Sequence, residues 1–185
     1  ITEKQKEYIK KDISEFEQVL YGKNFSDKRI GYQAYIDMDN WVDYFIINEF
    51  VMNYDAGNLS TYLYKELGEK LQLAVWDFNN GFDNYQWFRT ETDVLHTVEN
   101  SWFERLWQDK TFREHVCERY RKLRKTTFSD EHIAEKIAFY QEELGDAVDR
   151  NFKVWGYSFD EALLAGTTKE GTSRDIRSYE EAMKQ

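Results

Sequence analysis

Cysteine is nearly absent: Cys117 is the only one in 185 residues. A lone thiol excludes an intrachain disulfide framework and any metal site built on several cysteines. It falls on a helical pattern, where a buried thiol is expected. Proline is missing altogether, and nothing in the sequence accounts for that. No apolar run approaches the roughly 20 residues that a membrane-spanning helix needs, so no span is expected in this segment. No glycine-rich loop or Walker pattern occurs. The three histidines, His96, His115 and His132, stand too far apart for ligand spacing and read as surface or helix residues. Positive charge is the minority sign, with 25 Lys and Arg against 35 Asp and Glu. A net charge of −10 argues against a nucleic-acid partner, which requires clustered cations. Acidity of this kind is ordinarily a solvated surface; a basic protein substrate is the sharper reading.

What the chain does have is rings. Six Trp, 13 Tyr and 13 Phe, within 41% hydrophobic and 32% charged residues, imply a globular core built largely on aromatics. The length suits one domain with a full core, two small domains being the alternative. Ile1 already lies in a helical pattern, and Gln185 comes a few residues into another. Residues 1–185 are therefore expected to be a single domain truncated at both ends.

Along the chain, Ile9, Ile13, Phe16 and Leu20 recur at helical spacing, which predicts a helix over 2–21 that docks one face and ends at Gly22. Asp39 is the expected N-cap of a helix burying Trp41, Phe45 and Phe50. Residues 60–66 and 70–76 read as two strands joined at Leu67-Gly68-Glu69. From Asp77 to about Asn100 the pattern turns irregular, and so long a loop in a compact domain ordinarily serves a site. Phe82, Tyr85 and Trp87 are expected to anchor it. Ser101 and Glu104 form a capping-box pattern before a short helix. Phe112, Val116, Tyr120 and Leu123 make the next apolar stripe, closed by a cationic last turn that suits a helix C-terminus. Ser129 should cap a long helix turning Ile133, Ile137, Tyr140, Leu144 and Val148 inward. A Gly- and Thr-rich loop over 166–173 and a helix opening at Ser178 complete the reading.

The chemistry concentrates between Trp41 and Asn84. A helix leads into the polar turn Asn53-Tyr54-Asp55-Ala56-Gly57-Asn58, and the hairpin leads into Trp76-Asp77-Phe78-Asn79. Asp55 and Asp77 thus fall at the two ends of one hairpin, which could fold them together as a metal or phosphoryl site. The bland alternative is that both acids only form turns or caps. Trp76, Trp87, Trp102 and Phe88 could form a sugar platform, but core packing is the more ordinary use of such rings.

The same residues resemble a known family. Tyr35-Ile36-Asp37-Met38-Asp39-Asn40-Trp41, Asn48-Glu49, Asn53-x-Asp55, Leu59-Ser60-Thr61-Tyr62 and Val75-Trp76-Asp77-Phe78-Asn79 are similar to the CotH, or spore coat protein H-like, atypical protein kinases of bacterial spores and cell surfaces. The later Trp102-Phe103-x-x-Leu106, Arg119-Tyr120, Asn151-Phe152 and Trp155-Gly156 extend the likeness over most of the chain. The resemblance implies an α+β, mostly helical, kinase-like C-lobe with a small β-hairpin at its active face. It implies Asp55 as the catalytic-loop acid and Asp77 as a ligand of Mg2+, which comes with ATP as the cofactor. A neutral oxygen of Asn79 could complete the metal shell, since magnesium accepts hard oxygen donors. Asn58 is the nearby amide expected, with Asp77 and Asn79, to bind the cofactor. The intact protein would then phosphorylate Ser or Thr of a spore-coat or surface protein. The segment alone, lacking the lysine-bearing lobe of a kinase, is expected to be inactive.

Two departures qualify the likeness. Ordinary kinases place the metal-binding Asn five residues after the catalytic Asp. Here that position is Ser60, a poor metal ligand, and the nearer amide is Asn58. Many relatives also carry an acid where this chain has Asn79. The alternative function is a non-catalytic structural or binding module of a coat or extracellular assembly. A carboxylate-pair hydrolase, with the two acids at glycosidase separation, is the third.

Overall fold

A computed structural model describes residues 1–82 and 94–155. These form two compact units, residues 1–82 with 94–120, and residues 121–155. The architecture is α+β and mostly helical, with one two-stranded antiparallel sheet among the described residues.

In the first unit, α1 (Glu3–Leu20) opens on Thr2, which exchanges side-chain and backbone bonds with Gln5 in a capping box. It buries Phe16 and Leu20, whereas Ile9 is exposed and Ile13 half-buried. Only the C-terminal half of the expected apolar face is therefore docked. Helix α2 (Met38–Phe50) is capped by Asp37 rather than Asp39. An N-cap must be extended and accept a backbone N–H. Asp37 does both, bonding Asn40 N at 3.2 Å, and Asp39 sits within the first turn, where its charge suits the helix dipole. Trp41 and Phe45 are buried as expected; Phe50 is half-buried.

Strands β1 (Tyr62–Tyr64) and β2 (Gln72–Ala74) pair as Tyr62 with Ala74, Leu63 with Leu73 and Tyr64 with Gln72. They are shorter than the expected runs, yet β2 is well anchored. Asn40 bonds both the N–H (2.7 Å) and the carbonyl (3.1 Å) of Leu73, and Trp41 Nε1 donates to the carbonyl of Leu71 at 3.0 Å. A side chain from α2 thus substitutes for a third strand. Lys65 on the hairpin pairs with Asp12 on α1 at 2.7 Å, each about 21% exposed.

Helix α3 (Ser101–Trp107) has Asn100 as its N-cap, with no side-chain capping bond. The cap position expected at Ser101 falls one residue earlier, on Asn100, and Ser101 is the first helical residue. Phe103 is fully buried, its ring centroid 5.6 Å from Trp41, 5.8 Å from Tyr44 and 5.7 Å from Phe45. Helix α4 (Lys110–Leu123) buries Phe112 and Val116, while Tyr120 is exposed. Cys117 is exposed rather than buried: one residue past Val116, it lies about 100° round the helix from the docked face. Tyr32 donates to Asp109 at 2.7 Å within the core. Burial first, and then that bond to a carboxylate, push the Tyr32 hydroxyl far above the ordinary tyrosine range.

In the second unit, α5 (Asp130–Leu144) is capped by Ser129, which accepts from His132 N at 3.2 Å, and α6 (Ala147–Trp155) follows. The expected inward face of α5 is not buried: Ile133 and Ile137 are half-covered, and Tyr140 and Leu144 are exposed. Val148, on α6, is half-buried as well. An apolar stripe marks a face, but burial also needs a second surface laid over it. The expected loop over 166–173 and the helix from Ser178 lie outside the described residues. No described helix is long and apolar enough to cross a membrane.

Candidate active site

Helix α2 ends at Phe50 with Val51 as its C-cap, and Met52 at φ 53° turns the chain away from the helix axis. The turn that follows is held from below by amides. Asn53 is buried; its backbone N–H reaches the carbonyl of Asn48 and its side-chain amide reaches Asn48 Oδ1, both at 2.9 Å. Asn48 in turn donates to the Tyr44 carbonyl at 2.8 Å. Each buried polar group on this ladder orients the next, which fixes a turn that apolar packing alone would leave loose.

Asp55 sits half-buried on that base, its carbonyl accepting from Asn58 N (3.2 Å) and Leu59 N (2.9 Å). Gly57 takes φ 77°, and a Cβ there would lie 3.0 Å from the Cβ of Asn100. Only glycine allows both the turn and that approach. Asn100 also donates to the Ala56 carbonyl, and the Tyr44 hydroxyl accepts from Gly57 N at 3.4 Å. Glu49 accepts the backbone N–H groups of His96 (3.0 Å) and Thr97. Residues 96–100 are thereby fastened against the turn, His96 through its backbone N–H.

Asp77 follows β2 on the exposed surface in a left-handed conformation, φ 51°. Its Oδ1 accepts from Asn79 N at 3.4 Å, an Asx-type turn contact. Asn58 and Asn79 are exposed. Asn80 donates its side-chain amide to Asp55 Oδ2 at 2.7 Å. The two acids therefore flank one end of the hairpin, and the turn that carries Asp77 is bonded to the carboxylate of Asp55. Trp76, just before Asp77, is 58% exposed, with its ring 5.2 Å from that of Tyr62. Trp102, by contrast, is a core ring against Phe16 and Trp41, donating to Glu17 at 2.9 Å.

Phe82, an expected anchor of the long loop, does not bury its ring, which is 68% exposed. Its backbone holds the loop instead, with its N–H on the carbonyl of Val51. Tyr85 and Trp87, the other expected anchors, lie outside the described residues, as does Phe88. Sequence reasoning missed Asn80 and Asn100. The signal for Asn80 was the amide-rich run beside an acid, Asn79 and Asn80 after Asp77; for Asn100 there was none.

Among the described residues no three His, Cys, Asp or Glu side chains converge. Exposed carboxylate and amide oxygens on one turn suit a magnesium ion, which keeps several waters and takes one or two protein carboxylates with phosphate oxygens.

The described residues thus present an α+β architecture with an acid-bearing turn before the hairpin and another after it. A family model described as CotH kinase protein matches residues 1–184, and the chain belongs to that family. No curated protein and no solved structure matches it.

Proposed function

We propose that the chain is the C-lobe-like part of an ATP-dependent protein kinase, acting on Ser or Thr of a protein substrate of the spore coat or cell surface. The observation that supports the reading, within a kinase-named family, is the 2.7 Å bond to the Asp55 carboxylate from Asn80, three residues past Asp77. Asp55 accepts the hydrogen bond of the acceptor hydroxyl and orients it for attack. Asp77 and Asn79 offer oxygens to magnesium, and Asn58 lies at the same turn as Asp55 to bind the nucleotide. When bound, magnesium ATP supplies the phosphoryl group and the positive charge that screens it. The described residues supply orientation: a half-buried acid held by backbone and amide bonds does not have to be ordered during the reaction.

The test is Asp77→Asn in the natural full-length protein. Asparagine keeps the size of the side chain and tolerates the left-handed conformation, so the change removes charge and little else. Phosphate transfer from ATP should fall by at least about a hundredfold, with the melting temperature level or slightly raised. One observation favours a second reading, a non-catalytic structural module: the Asx-type contact of Asp77 by itself accounts for an acid at positive φ. Unchanged transfer in Asp77→Asn would remove Asp77 from the mechanism, and no transfer in the wild-type protein would select the structural module.

A further inference from the structure

Asn80 stands apart from the residues that the resemblance assigns. Its side-chain amide meets Asp55 Oδ2 at 2.7 Å. An ionised carboxylate only accepts hydrogen bonds, so the amide must present its NH2 group there. One oxygen of the acid is thereby committed, while the other, Oδ1, takes no hydrogen bond from the described residues. The donor is neutral. A lysine or arginine in its place would hold the carboxylate by charge as well and weaken it as an acceptor.

The placement of Asn80 is built from both sides. Asp77 and Phe82, which bracket it, both take positive φ, 51° and 54°. Phe82 N–H bonds the Val51 carbonyl, and a Cβ on Gly81 would lie 3.1 Å from that same oxygen. Asp55 lies four residues past Val51. The two loops are therefore tied to one backbone group, and Asn80 closes the loop-to-loop span at the acid.

We propose that Asn80 is a positioning residue for Asp55, fixing one carboxylate oxygen so that the other faces the acceptor hydroxyl. This rests on the phosphoryl-transfer reading of Asp55 given above. The contact also joins the turn of Asp77 to Asp55.

The test uses the full-length protein with magnesium ATP and its protein substrate. Asn80→Ala should lower kcat about 10- to 100-fold and leave KM for magnesium ATP within about twofold. Asn80→Asp, the same size but with no donor and with a like charge facing Asp55, should be slower still. Adding Asn80→Ala to Asp55→Asn should slow transfer no further, because the group being positioned is already gone. Independently of activity, the side-chain amide signal of Asn80 in 15N-Asn-labelled protein, assigned by its loss in Asn80→Ala, should shift in Asp55→Asn. Full kcat in both Asn80 variants, with Asp55→Asn inactive, overturns the positioning role and leaves the acid in place. A raised KM at unchanged kcat overturns it in favour of nucleotide binding. Wild-type transfer in Asp55→Asn, or none in the wild-type protein, overturns the kinase reading and this proposal with it.

Discussion

Helices α2 and α5 both carry apolar residues at helical spacing, more densely in α2, and meet opposite fates. Among the 13 residues of α2, Trp41, Val42, Tyr44, Phe45, Ile46 and Asn48 are buried; among the 15 of α5, none is. The difference lies in what surrounds each helix. The rings of Phe103 and Phe112 pack on the apolar side of α2, and Asn40 and Trp41 fasten it to β2. Helix α5 has good ends, with a Ser129 cap and two acids in its first turn, but among the described residues its ring contacts are Phe139 with Tyr140 at 5.3 Å and Lys136 over Phe139 at 6.0 Å. Local signals make a helix; a covering surface makes a core.

The contrast can be broken most directly by truncating one ring from each helix environment. Phe103→Ala should destabilise the protein by about 3–5 kcal/mol in denaturant unfolding. Phe139→Ala, at a ring 52% exposed, should cost less than about 0.5 kcal/mol. Similar losses at the two positions would mean that the face of α5 is covered in solution.

A smaller effect should come from the buried Tyr32–Asp109 pair of the first unit. Tyr32→Phe leaves a buried carboxylate oxygen without its donor and should cost about 1–3 kcal/mol near neutral pH. The pH dependence has a definite sign. Because burial, and then Asp109, raise the folded-state value of Tyr32, its contribution is fully present below the unfolded tyrosine value of about 10. It is lost as pH rises beyond that, since only the unfolded chain readily gives up the proton. Unfolding measured between about pH 9 and 11 should therefore show a shallower alkaline decline in Tyr32→Phe than in wild type. An unchanged slope would remove Tyr32 as its source.

The smallest of the three belongs to the Lys65–Asp12 pair, which sharpens the comparison by asking how much of the first unit is held without rings. Burial alone would lower the Lys65 value, yet the bond and charge of Asp12 outweigh it and raise the group overall. With both side chains largely covered, a double-mutant cycle of Lys65→Met and Asp12→Ala should give a coupling of roughly 1 kcal/mol. A coupling near zero would leave the hairpin attached to α1 by packing alone.

Much of this could be seen in the sequence, and the misses share a cause. Helical spacing, the Ser129 cap, the turn at Gly57 and the Gly68 hairpin were local signals, and all four are present. So was the pairing of acid turns with a hairpin, on which the family resemblance rests. The cap of α2 was displaced by two residues because Asp37 and Asp39 are the same residue type, and only backbone conformation chooses between them. The burial of Cys117 and of the α5 stripe was misread because spacing names a face without saying whether anything covers it. Asn80 left only its place in an amide-rich run as a signal, and Asn100 none, for another reason. Their partners, Asp55 and Ala56, lie 25 and 44 residues away, and long-range amide bonds leave no periodicity.

The carbonyl of Val51, the last acceptor before the chain leaves α2, has a dynamic consequence. It holds the amide of Phe82, a residue whose ring lies in solvent, so a freely accessible side chain sits above a locked backbone hydrogen. In hydrogen exchange that amide would stand out as slow amid a fast surface loop, its rate set by an opening of the loop rather than by exposure. Such an opening would also withdraw Asn80 from Asp55. The exchange rate of one amide would then count how often the two acid-bearing loops part company, and anything that binds across both would slow it.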